Sequence, residues 1–471
     1  MTTPRMTVRG RSALALGSAA RWASRVTGRG AGAMIGGLVA MTLDRSLLRQ
    51  LGAGRRTAII TGTNGKSTTT RMLAAALRTV GAAEPPGRRH QTAEPPGRRH
   101  QTAEPPGRRH QTAEPPGRRH QTAEPPGRRH QTVATNSEGA NMDAGLVAAL
   151  AADRDAPLAA LEVDEMHVPH VSDAVEPAVI VLLNLSRDQL DRVGEINHIE
   201  RTLRAGLARH PGAAVVANCD DVLMTSAAYD CPQVIWVAAG GGWAGDSVSC
   251  PRSGEVIVRE REHWYSTGTD FKRPTPQWRV DSENLYGPDG VVLPMKLSLP
   301  GAVNRGNAAQ AVAAAVAMGA DPAAAVAAVS RVDEVAGRYR TVRIGDHTAR
   351  LLLAKNPAGW QEALSMVDKT AAGVVISVNG QVPDGEDLSW LWDVRFEHFA
   401  DERLARRESG LATSVVAAGE RGTDLAVRLG YAGVEHSLVH DTMAAIESCP
   451  PGQVEVVANY TAFLQLQRRL P

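Results

Sequence analysis

The stretch T-A-I-I-T-G-T-N-G-K-S-T-T-T at 57–70 constrains this chain more than any other. Ala58, Ile59 and Ile60 make a short apolar run of the kind a buried parallel strand needs. Gly62, Thr63, Asn64 and Gly65 then turn the chain, and Lys66, Ser67 and Thr68 open a helical pattern that continues through 72–77. A strand, a glycine-bearing turn, a Lys-Ser pair and a helix form a phosphate cradle. Backbone N–H groups and the helix N-terminus point at an anion, Lys66 reaches terminal phosphates, and the Ser67 hydroxyl can ligate Mg²⁺. The generic loop of this kind has a further glycine where this chain has Ile60, so the turn here is a tighter variant.

At 471 residues the chain is too long for one core, and two or three domains are expected. Residues 1–55 read as an Ala-rich helical lead-in; Arg5, Arg9 and Arg11 give it a basic start, but Gly17 and Ser18 interrupt the apolar run a targeting peptide would need. Apolar runs at 158–163, 178–183 and 213–217 read as strands. Each ends in polar residues: Glu162 with Asp164 and Glu165, then Asn184, then Asn218 with Asp220 and Asp221. That grammar predicts a doubly wound parallel sheet over 56–340, in which ligands bind off the strands' carboxyl ends, on the side of Lys66. Residues 232–298, rich in Gly, Trp, Arg and Ser, read as a small β-rich insertion. A helix is expected over 300–318, with Asn304 and Asn307 near its start. From 341 to 471 the alternation restarts, with apolar runs at 349–353, 374–378, 414–417 and 454–457, which predicts a second, smaller, Rossmann-like α/β domain.

Between the first helix and the next strand, 83–132 is five identical copies of A-E-P-P-G-R-R-H-Q-T. Paired prolines and a glycine in every copy exclude helix and sheet, and no side chain larger than Ala offers aliphatic surface to bury, so a disordered surface loop is expected. The copies hold ten Arg and five Glu, which leaves 42 basic and 45 acidic side chains elsewhere; the basic balance of the whole chain is therefore no sign of nucleic-acid binding. Only five of the 52 basic residues are lysine, which singles out Lys66 and Lys355. Four scattered cysteines, Cys219, Cys231, Cys250 and Cys449, suit a reducing cytoplasm and no disulfide framework. None has the setting of an activated nucleophile, so a glutaminase activity is not expected in this chain.

T-G-T-N-G-K-S-T-T (61–69) and P-G-x-x-N-x-x-N-A (300–308) resemble motifs that mark the Mur ligase and folylpolyglutamate synthase superfamily, and N-S-E-G-A-N-M (136–142), E-V-D-E (162–165) and N-L-S-R-D-Q-L-D-R (184–192) stand with them in the constellation. L-A-K-N-P-A-G (353–359), D-G-E-D-L-S-W-L-W-D (384–393) and G-E-R-G-T-D-L-A-V-R-L (419–429) narrow the resemblance to the MurT family, the Mur-ligase-like subunits of lipid II isoglutaminyl synthases. It implies a Mur-ligase-like central domain that binds ATP and Mg²⁺, and a C-terminal domain that docks a GatD-type glutaminase. It implies ATP-dependent amidation of the D-glutamate carboxylate of lipid II to D-isoglutamine through an acyl phosphate, with ammonia from the partner. The location implied is cytoplasmic, with a peripheral position at the inner face of the membrane opened by the lipid-linked substrate.

Site residues carry over one by one. The loop 62–68 holds the phosphates, Ser67 and Glu162 the Mg²⁺, and Asn304, Asn307 and Arg338 match positions near the nucleotide, although Asn304 and Asn307 could equally be helix caps. Family relatives lend an aspartate to the partner's Cys–His pair; Asp393, beside Trp390 and Trp392, which are large enough to anchor an interface, is the first choice, Asp387 the second, and Asp384 reads as a turn residue. Two departures stand out. Gln189 occupies the place of a metal-associated His in amino-acid-adding relatives. The family's two C-x-x-C pairs before F-K-R-P are reduced to Cys250, with Ser253, Ser266 and Thr269 at the other positions, so no zinc is expected. The rival readings are a stand-alone Mur-type or folate-type amino-acid ligase, disfavoured by the 384–393 motif, and a nucleotide-binding scaffold, disfavoured by intact Lys66, Ser67 and Glu162.

Overall fold

The computed structural model describes residues 6–26, 33–81, 131–136, 140–186, 193–241, 246–333, 339–368, 370–385, 387–400 and 414–470. The repeats up to residue 130, the segment 187–192 with Gln189, and Arg338 lie outside the described residues.

The strand expected before the glycine turn, β1 (Arg56–Thr61), runs beside two others in the middle of a nine-stranded sheet. Six parallel strands carry the site: β1, β2 (Val133–Thr135), β3 (Leu158–Glu162), β4 (Val179–Leu182), β5 (Ala214–Asn218) and β6 (Val234–Ala238), in the order β6-β5-β4-β1-β3-β2. Strand residues alternate between two cores. Ala58, Ala160 and Val181 enter one with the helices Lys66–Leu77, Ala302–Ala317 and Pro322–Val329; Ile59, Leu161 and Ile180 enter the other with Asp143–Ala152, Val168–Val175 and Val193–Leu207. Burial on both faces explains why these strands read as near-continuous apolar runs.

Residues 232–298 divide their structure. The hairpin β7 (Ile257–Glu260) and β8 (His263–Ser266) stands by itself, whereas β9 (Trp278–Val280), β10 (Asn284–Tyr286) and β11 (Val292–Pro294) extend the large sheet beyond β6. Beside the hairpin Cys250 is buried and shares hydrogen bonds with Ser253 and Ser266. Burial works to raise its thiol, but those hydroxyls and the Arg252 and Ser253 N–H groups outweigh it and bring the thiol below its ordinary value.

The C-terminal sheet runs β12 (Tyr339–Ile344), β13 (His347–Leu353), β17 (Gly452–Ala458), β14 (Gly373–Ser377), β15 (Ser414–Ala418) and β16 (Ser437–Leu438), parallel except for the first pair. The mixed α/β architecture is thus the one the alternation predicted. One expectation fails here: Trp390 does not face outward to anchor an interface. It is buried, stacked on Trp360 at 5.4 Å between centroids, and only Trp392 of the pair is exposed.

Candidate nucleotide-binding site

The glycine turn is built for close approach. Gly65 is left-handed (φ 84°), and a Cβ there would lie 2.8 Å from Asn307 Oδ1; a Cβ on Gly62 (φ 140°) would lie 2.9 Å from the Asn184 carbonyl oxygen. Only glycine meets both demands of conformation and space. Asn184 braces the turn further: its carbonyl accepts from the Thr63 N–H (2.9 Å) and its Oδ1 from the Asn64 N–H (2.9 Å). Its Nδ2 donates back to the Asn64 carbonyl (3.0 Å), while Ser186 and Thr63 exchange hydrogen bonds at 3.0 and 3.1 Å. Asp221 anchors that bracing segment, accepting from the Leu185 N–H at 3.0 Å and capping the next helix through the Met224 N–H at 2.8 Å. Burial pushes its carboxyl up to about 6.

Lys66, Ser67 and Thr68, all buried, form the first turn of the helix Lys66–Leu77. The Lys66 ammonium donates to the carbonyls of Gly62 and Thr63 and forms an ion pair with Glu165 at 3.3 Å. Glu165 is therefore a site residue that the motif reading left in a general acidic cluster. Glu162 sits opposite Ile60 in the β1–β3 register, immediately before the turn. It is 3% exposed, and its Oε2 is buried with no hydrogen-bond partner. Asn136 fixes its backbone from both sides, accepting from the Glu162 N–H (2.8 Å) and donating to its carbonyl (2.7 Å). A buried carboxylate oxygen without a partner, on the strand paired with β1, suits a hard cation such as Mg²⁺. Ser67 and Glu162 are the residues that would hold it.

Asn304 and Asn307 do not cap their helix, whose N-cap is Gly301. Asn304 donates to the Pro300 carbonyl at 2.6 Å and leaves its Oδ1 buried and unpartnered, while Asn307 abuts Gly65. Across the turn, Asn64 Nδ2 donates to Asn356 Oδ1 at 3.3 Å, and Asn356 caps the C-terminal domain's helix Pro357–Met366. The two domains thus meet at the glycine turn itself. Lys355 lies beside this contact, its ammonium 4.9 Å from the Tyr460 ring centre.

The three C-terminal acids separate cleanly. Asp384 receives the Thr461 N–H (2.9 Å) and hydroxyl, tying down the last helix. Asp387 is exposed, and the Ser389 N–H (2.8 Å) holds its carboxyl below its ordinary value. Asp393 is partly buried, and its Oδ2 is buried with no hydrogen-bond partner. Beside it Trp392 and Tyr431, both exposed, meet edge to face at 5.3 Å.

Residues 60–315, more than half of the chain, match the Mur ligase middle domain family, and 353–463 match the MurT ligase C-terminal family. The chain is 25% identical over 473 residues to the lipid II isoglutaminyl synthase (glutamine-hydrolyzing) subunit MurT of Streptococcus pneumoniae, spanning 94% of this chain and 93% of that one. The subunit of the same name from Staphylococcus aureus is 24% identical, spanning 98% and 97%. A pseudomurein peptide ligase type C from Methanothermus fervidus shares the fold, with a TM-score of 0.57 at 15% identity over 88% of this chain and 78% of that one.

Proposed function

Because the chain belongs to the Mur ligase family through its middle domain, we propose that it is the ATP-dependent subunit that amidates the D-glutamate carboxylate of lipid II, working with a GatD-type glutaminase. The observation that carries this reading is the conjunction of an intact phosphate cradle with a MurT-type C-terminal domain, joined through Asn64 and Asn356. In this reading the carboxylate takes the γ-phosphoryl group of ATP, and ammonia then displaces phosphate to leave the amide. Bound Mg²⁺ supplies the charge neutralisation that lets one anion approach another. Lys66 exchanges its Glu165 contact for phosphate oxygens, Asn136 keeps Glu162 aimed, and Asn307 closes the far side of the turn. Arg338 keeps the nucleotide role the resemblance implies.

The ammonia comes from elsewhere. Burial pushes the Cys219 thiol to about 12 and the Cys449 thiol to about 11, and it also raises Cys231, so none of these three is poised as a thiolate nucleophile. Cys250, the one whose thiol is lowered, is buried and engaged by Ser253 and Ser266. Asp393 is the residue of this chain that completes the partner's Cys–His pair, with Trp392 and Tyr431 as its flanking anchors and Asp387 as the second choice. The hairpin β7–β8 folds without zinc, since one thiol and its hydroxyl partners are a poor donor set for that ion. About one zinc per chain by elemental analysis would overturn this part. The cytoplasmic protein works at the inner face of the membrane, where its substrate is anchored. Purified chain with lipid II, ATP, Mg²⁺ and ammonium should form the amide, and Lys66→Ala should not. Product formation that requires an amino acid instead of ammonia would favour the stand-alone ligase.

A further inference from the structure

The first 43 residues contain six arginines and no acidic residue, and the first acid in the chain is Asp44. They fold as two helices, Val8–Val26 and Ala33–Leu43, packed so closely that a Cβ on Gly17 would come within 2.5 Å of the Gly36 carbonyl. The inward stripe of the first helix is Gly10, Ala13, Leu14 and Gly17, all buried. Its opposite face carries exposed apolar residues, Val8, Ala15, Ala19 and Trp22, at spacings of seven, four and three, with Ser12 among them and Leu16 beside them. The second helix exposes Met34, Ile35 and Leu38. Trp22 is 68% exposed and Leu38 61%, although a helix lying on a protein in water normally turns polar residues outward. Single exposed apolar side chains need no explanation; a cluster confined to one purely cationic hairpin does. Neither helix is long and apolar enough to cross a membrane.

We infer that this hairpin is a membrane-surface dock, whose apolar outer faces enter the headgroup boundary of an anionic lipid leaflet while its arginines meet the lipid phosphates. Charge complementarity selects this occupant. A protein partner needs mixed polar contacts around an apolar patch, whereas an acid-free, Arg-only and Trp-bearing surface suits anionic lipid. The inference deepens the amidation reading, which gives the protein a reason to lie at a membrane; lipid binding itself requires neither ATP nor partner, so each can fail without the other.

Co-sedimentation of the purified full-length chain with vesicles tests it. Binding is expected to phosphatidylglycerol–phosphatidylcholine vesicles, weakened by salt, and not to phosphatidylcholine alone. The triple variant Leu16→Ser, Trp22→Ser, Leu38→Ser should lose about tenfold or more of that binding, and so should Arg11→Glu, an exposed reversal that leaves the packing between the helices alone. Both variants should keep the wild-type circular dichroism and amidate detergent-dispersed lipid II at the wild-type rate. Absence of vesicle binding by the wild type, equal binding by the variants, or a salt-insensitive preference for neutral lipid would overturn the proposal. So would a dimer in sedimentation velocity that the triple variant dissolves, which would assign the face to a second copy of the chain.

Discussion

Glu162 carries one carboxylate oxygen that is buried and unpartnered, a costly arrangement unless a cation arrives to meet it. Glu162→Gln keeps the shape and removes the charge. The variant without nucleotide should unfold at the same temperature as the wild type or higher, because an uncompensated buried charge has gone. Its Mg²⁺ requirement should rise by at least the roughly 10–100-fold that losing an outer-shell partner alone costs. Thermal melts and Mg²⁺ titrations of ATP-dependent turnover separate the two effects, and a large loss of stability with unchanged Mg²⁺ dependence would assign Glu162 a structural role. Asn136 acts through Glu162, holding its backbone at 2.8 and 2.7 Å without presenting a group of its own to the site. Asn136→Ala should destabilise the protein by about 1–3 kcal/mol, the range for stranding buried polar groups, as read from denaturant midpoints. It should also raise the Mg²⁺ requirement, which a merely structural loss would leave alone.

At the scale of elements, the repeats interrupt the path between the first helix of the cradle and β2. The ends of that excursion touch: the Gln131 N–H donates to the Arg78 carbonyl at 3.3 Å, and Val133 opens β2 directly after. A loop whose ends already meet needs no particular length, and closure entropy changes by only about 0.6 kcal/mol per doubling. Cutting five copies to one should therefore leave the melting temperature and the amidation rate unchanged; a rate loss of about tenfold, on the order of 1.4 kcal/mol, would show that the copies act in catalysis. The cradle was legible because its signature lies within 57–77 in local order: an apolar run, two glycines, a Lys-Ser pair. Glu165, Asn136 and Asn356 were not legible as its supports, since each contact joins segments 26 to 292 residues apart. The two tryptophans show the same limit at short range. Residues 389–392 form one tight 3₁₀ turn, which buries Trp390 against Trp360 and leaves Trp392 outside. Strands 278–294 have too few residues each to announce that they would join the large sheet.

For the whole molecule, the telling feature is that the C-terminal domain both reaches the nucleotide turn and displays the surface around Asp393. Asn356 touches Asn64, and Trp392 and Tyr431 stand exposed beside an aspartate whose Oδ2 is buried without a hydrogen-bond partner. One body thus links the central domain to the face proposed to dock a glutaminase. An aspartate lent to an imidazole acts by orienting it and stabilising its charged form, so losing the carboxylate should stop ammonia release from glutamine without touching the ligase step. The direct test compares lipid II amidation by the chain together with the proposed glutaminase partner under two nitrogen sources, glutamine and free ammonium. Asp393→Asn should lower the glutamine-driven rate by at least about a hundredfold, on the order of 2.7 kcal/mol, and leave the ammonium-driven rate intact, while Lys66→Ala should abolish both. Equal loss of both rates in Asp393→Asn, or undiminished use of glutamine by both Asp393→Asn and Asp387→Asn, would contradict a triad shared between the two chains; failure of the wild type to amidate lipid II from either source would contradict the proposed function itself.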